Sequence, residues 1–179
     1  MKIPWYWLLG LGLMIFTAVL LSALQSSLWF LVFGRFPAPL FWLIILVYVS
    51  VTRPLWESTL SVYLLTLACA PFTAFPIEAM LVYCLLLMLL LNVIRERAFW
   101  GGPTYFMLMV GVASIAAPIL FWMASRWFDK NPLFFPDIFD WLISAGLTTL
   151  CSLPIYRLYQ WYDHIASQDA GAEGRVGPR

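Results

Sequence analysis

Ile77 to Arg97 reads IEAMLVYCLLLMLLLNVIRER. Leu81, Leu85, Leu86, Leu87, Leu89, Leu90 and Leu91, at about −0.5 kcal/mol each, supply roughly −3.5 kcal/mol towards insertion of a helix into lipid, and no charge interrupts them. Hydrocarbon cannot hydrogen-bond a bare backbone, so a run of this kind must be helical, and the charges Arg95-Glu96-Arg97 mark where it leaves the apolar phase. This stretch predicts a membrane-spanning helix over Ile77–Ile94.

The rest of the chain repeats the pattern. Of 179 residues, 63% are hydrophobic and only 11% charged, and the mean hydropathy of +0.88 belongs to the membrane class. There is room for roughly six spans of about 20 residues and for no sizeable aqueous domain. Apolar runs bounded by charges, prolines or glycines predict helix 1 over Trp5–Ala23, helix 2 over Pro39–Thr52, helix 3 over Ser58–Phe75, helix 5 over Tyr105–Ala124 and helix 6 over Ile138–Tyr159. Helix 2 is short for a bilayer, so Ser26 to Gly34 is expected either to extend it or to lie re-entrant. The first run exceeds a signal-peptide core and Leu21-Ser22-Ala23 lacks a small-x-small cleavage pattern, which predicts a retained helix. One six-helix transmembrane domain is therefore expected over residues 1–166. The glycine-rich polar tail, residues 167–179, is expected to be disordered.

With the N-terminus inside, Lys2, Arg53, Arg95, Arg97, Arg157, Arg175 and Arg179 face the cytoplasm against Arg35, Arg126 and Lys130 outside. This asymmetry predicts both termini cytoplasmic. Trp5, Trp100, Trp127, Trp141 and Trp161 near the span ends fit the interfacial aromatic belt. The net charge of +1 is thinly spread, which leaves no basic footprint for nucleic acid.

Chemistry is sparse. His164 stands alone, and one histidine without neighbouring ligands argues against a metal centre. Cys69, Cys84 and Cys151 lie in apolar runs without paired spacing and read as small buried hydrophobes. No base is placed to activate a hydroxyl or thiol, so neither an enzyme nor a cofactor is expected. Glu78 after Pro76, and Asp137 and Asp140 after Pro136, suit helix N-termini, where a carboxylate complements the dipole; Glu78 and Asp137 are also the candidates for an outward polar site, for which Asn92 is a further polar group. Ser144, Thr148 and Ser152 recur at i, i+4, i+8 on helix 6, and Ala113 and Ala117 share that spacing on helix 5. Such small residues mark close helix approach, inside the chain or towards a partner. Between helices 5 and 6, Trp127, Phe128, Phe134 and Phe135 make an apolar external loop, suited either to the membrane surface or to a partner.

Arg35-Phe36-Pro37 followed by Leu40-Phe41-Trp42-Leu43-Ile44-Ile45-Leu46-Val47-Tyr48 resembles the Arg-Pro approach to an aliphatic, tyrosine-bearing second helix in the MreD family of rod shape-determining inner-membrane proteins. Ser144-Ala145-Gly146-Leu147-Thr148, then Leu153-Pro154-Ile155-Tyr156-Arg157, is similar to that family's last helix. The resemblance implies a non-enzymatic scaffold of cell-wall elongation in the bacterial inner membrane. It further implies binding to an MreC-like partner and connection to MreB, RodA and a penicillin-binding transpeptidase. The family has been likened in fold to the substrate-binding subunits of energy-coupling-factor transporters, which supplies the rival expectation of a membrane subunit for a small vitamin-type molecule.

Overall fold

The computed structural model describes residues 5–34, 36–73, 76–97, 102–128 and 137–173, with side chains from Gly10 to Asp163 apart from Leu28 and Phe30. Among them the architecture is all-helical: α1 (Trp5–Phe33), α2 (Phe41–Thr52), α3 (Leu55–Cys69), α4 (Ile77–Arg97), α5 (Pro103–Phe128) and α6 (Ile138–Glu173), with a single 3-10 turn at Ala70–Phe72. Five of these are long and apolar enough to cross a membrane, namely α1, α3 with its 3-10 turn, α4, α5 and α6.

The expectation was of about six spanning helices, and the helix that falls short of that length is α2. α2 has 12 residues, a rise of about 18 Å against a hydrocarbon core of about 30 Å. It is instead the central post of the bundle and touches all five other helices. Leu43 to Ser50 are buried without a break, five of them at 0% exposure in the run Leu43–Val47. A helix that is apolar all round has no face suited to water, and enclosure by its neighbours is the arrangement that leaves none exposed.

The segment Ser26–Gly34 also differs from expectation. It neither extends α2 nor re-enters; it continues α1 to Phe33. Gln25, Ser26 and Ser27 are polar but do not break a helix, whose backbone bonds are internal. The stop is Gly34, whose φ of +61° is the left-handed conformation that closes a helix C-terminus and that glycine adopts without a Cβ clash. The irregular piece is the next one, from Phe36 to Leu40, where Pro37 and Pro39 cannot donate to a helical ladder.

The other boundaries move outwards or inwards for local reasons. α3 starts at Leu55 because Arg53, extended at φ −101°, ψ 155°, precedes Pro54, as the residue before a proline prefers. It tightens into the 3-10 turn near Pro71, which has no N–H for the carbonyl one turn back. α4, α5 and α6 run past their expected ends to Arg97, Phe128 and Glu173, since adding a turn to an existing helix costs little. The backbone of the first part of the polar tail is thus helical, and residues 174–179 lie outside the described residues, as do Lys2, Arg35, Trp100, Phe134 and Phe135.

Candidate functional site

Both ends of α2 carry polar networks that the apolar composition conceals. At its head, the irregular chain passes inside the bundle, where every peptide group needs a protein partner. α6 provides two. The Ser144 hydroxyl donates to the Ala38 carbonyl at 2.7 Å, and the Leu40 N–H donates to Thr148 Oγ1 at 2.9 Å. Thr148 in turn donates to the Ser144 carbonyl at 2.6 Å, so one hydroxyl serves both as acceptor and donor. Thr148 lies ten residues into α6, about 15 Å from its start, which places the head of α2 well inside the bundle.

The expected stripe on α6 therefore does bring a backbone close, but the backbone is an irregular lead-in as well as a neighbouring helix. Ser152 is buried and donates to the Thr149 carbonyl at 2.6 Å. Ala113 and Ala117 on α5 are buried. A Cβ added at Gly111 would stand 3.5 Å from Thr149 Oγ1, which shows how near the backbone of α5 comes to α6.

Beside the head of α2 lies a cavity of about 200 Å³, open on one side, walled by Ser22, Gln25 and Ser26 of α1, Trp42 of α2, and Phe72 and Thr73 after α3. Gln25 Oε1 is buried without a hydrogen-bond partner. Glu78 and Asp137 are not in this wall; both are exposed at the starts of α4 and α6, where their carboxylates complement the helix dipoles. Asn92 donates to the Met88 carbonyl one turn back at 3.0 Å. The unpaired polar group beside this cavity is thus an amide on α1, for which the available signal was a lone glutamine in a long apolar helix.

At the foot of α2, Arg95 of α4 donates to the carbonyls of Ser50 (3.3 Å) and Arg53 (2.8 Å), satisfying groups that a helix C-terminus leaves open and placing a cation at its negative pole. The Arg53 guanidinium pairs with Asp163 of α6 at 2.9 Å, their side chains 28% and 35% exposed. The Tyr48 hydroxyl donates to the other oxygen of the same carboxylate. Tyr48 also stacks on Tyr159 (centroids 4.9 Å apart) and meets the Phe106 ring edge-on at 6.0 Å, while Tyr159 and Thr17 of α1 share a hydrogen bond. The foot thus joins α1, α2, α4, α5 and α6. Leu40 meets α6 at Thr148 and Arg53 meets it at Asp163, so α2 and α6 run parallel.

The aromatic loop between α5 and α6 is described only at its start. Trp127 is 84% exposed, the highest value among the described large apolar side chains, and Phe128 is 44% exposed. Among the described residues no group of three or more His, Cys, Asp or Glu side chains is placed to hold a metal ion. No protein-family model, curated protein or solved structure matches the chain.

Proposed function

We propose that this chain is a non-enzymatic scaffold of the bacterial cell-wall elongation apparatus, an MreD-like protein of the inner membrane with both termini in the cytoplasm. One observation carries the reading. The two segments in which the resemblance resides, more than 100 residues apart, meet at the head of α2 through Ser144 to Ala38 and Thr148 to Leu40, so they behave as one structural unit. The exposed Trp127 and Phe128 at the end of α5 suit the rim of a contact with an MreC-like partner, since aromatic side chains are favoured anchors at interfaces. Through that partner the scaffold would reach MreB, RodA and a penicillin-binding transpeptidase. The rival reading, a vitamin-binding transporter subunit, is less well supported: a cavity of about 200 Å³ is below the range of roughly 300–1,000 Å³ usual for larger ligands.

The test is co-purification. Tagged full-length chain, solubilised in mild detergent after co-expression with an MreC-like protein, is expected to retain that partner, and the paired change Trp127→Ala with Phe128→Ala is expected to reduce retention. Absence of association with the unaltered chain would overturn the proposal.

A further inference from the structure

We infer that the outward face of α6 near the foot of the bundle binds one anionic phospholipid, its phosphate held by Arg157, Gln160 and Trp161 and an acyl chain laid along Leu158, Pro154 and Leu150. This goes beyond the scaffold role and does not depend on it. The three headgroup residues stand at i, i+3 and i+4, neighbouring positions on one helix surface, and all three are exposed. Each brings donors. The guanidinium and the indole N–H only donate, and neither hydrogen-bonds nor ion-pairs with any described residue. The Gln160 amide gives one N–H to the Tyr156 hydroxyl at 2.7 Å and keeps a second. Arg157 lies inside the apolar span Ile138–Asp163, six residues before Asp163 and so about 9 Å deeper. An unpaired cation facing lipid at that depth is costly, and its long stem lets the guanidinium turn towards the headgroups at the foot. Asp163, the nearest carboxylate on α6, is already engaged by Arg53 and Tyr48, which leaves Arg157 without a protein counter-ion. A phosphate diester supplies what the face lacks, a negative charge and acceptor oxygens that a guanidinium meets with two parallel bonds. The direction of the lipid also fits. Leu158, Pro154 and Leu150 form an exposed apolar ridge that runs from the foot towards the middle of the bilayer, as an acyl chain does when its headgroup lies at the foot.

Native mass spectrometry of the delipidated full-length protein in neutral detergent, titrated with phosphatidylglycerol or phosphatidylcholine, is the test. Phosphatidylglycerol is expected to bind more tightly than phosphatidylcholine, whose choline offsets the phosphate charge. Arg157→Leu is expected to weaken phosphatidylglycerol about fivefold, the weight of one basic residue at an anionic membrane surface. Arg157→Lys, which keeps the charge, is expected to lose less, and so is Trp161→Phe, which removes only the indole N–H; these two keep the inference testable if the leucine variant folds poorly. Because Arg157 has no partner among the described residues, Arg157→Leu is expected to unfold at the wild-type temperature when lipid is absent. Equal phosphatidylglycerol affinity in wild type and all three variants, or equal affinity of wild type for the two lipids, would overturn the inference. Displacement of phosphatidylglycerol by an equal concentration of soluble glycerol phosphate would overturn it too, since the site would then take a free anion without the chain. Partner co-purification is a separate readout and can succeed or fail independently.

Discussion

At the scale of single residues, a few polar side chains hold an apolar bundle in register. Thr148 is the most constrained, since its hydroxyl accepts from Leu40 and donates to Ser144. Thr148→Val keeps the volume and removes both bonds, leaving a buried peptide N–H without a partner, so it is expected to destabilise by about 1–3 kcal/mol. Thr148→Ser, which keeps the hydroxyl, is expected to lose much less. Thermal unfolding of the two variants in the same detergent checks the difference; a Thr148→Val loss no larger than that of Thr148→Ser would contradict the leading part given to the hydrogen bonds. Asp163 has an analogous place at the foot, accepting from Arg53 and Tyr48. The pair is about one-third exposed, so solvent and salt screen it, and Asp163→Asn is expected to cost about 1 kcal/mol. A double-mutant cycle with Arg53→Gln should return a coupling that shrinks as salt is raised. Additive effects at low salt would count against the ion pair.

At the scale of elements, the carbonyl that Pro118 leaves open in α5 acquires a partner from another helix. Pro118 lies inside α5 and cannot donate to the Ser114 carbonyl one turn before it. Trp141 of α6 donates its indole N–H to that carbonyl at 3.2 Å. Trp141→Phe is therefore expected to be more damaging in the natural chain, by about 1 kcal/mol, than in a Pro118→Ala background where the helical bond is restored. Unfolding midpoints of the four proteins measure the difference, and identical losses in both backgrounds would sever this link between α5 and α6. The starts of α4 at Ile77 and α6 at Ile138 were legible because a proline and an acid precede long apolar runs. The continuation of α1 through Ser26 and Ser27 was not legible from polarity, because side-chain polarity does not end a helix and the glycine eight residues on does. The Ser144–Thr148 face could be recognised as a place of close approach, yet its partner, the Ala38–Leu40 chain, lies more than 100 residues away. Arg53 and Asp163 are similarly separated by 110 residues, and no local pattern joins them.

At the scale of the whole molecule, five long helices enclose a sixth that is too short to cross a membrane alone. Composition makes lipid the solvent of the chain, but it cannot distinguish a helix facing lipid from one facing protein, since both are apolar. That is why α2 reads as a weak span in sequence and stands as the core in the structure. Its head is completed by an irregular lead-in bonded to α6, and its foot by Arg95 and the Arg53–Asp163 pair. Exposed apolar side chains such as Phe16, Leu67, Leu89, Leu108 and Leu150 are spread over α1, α3, α4, α5 and α6, as expected of helices that each show one face to lipid. The most direct measurement is residue-resolved photolabelling of the membrane-embedded protein with a hydrophobic diazirine dissolved in the bilayer. Label is expected at Leu89, Leu108 and Leu150 and not along Leu43–Ser50; labelling of α2 to the same extent as Leu108 would contradict the enclosed central helix.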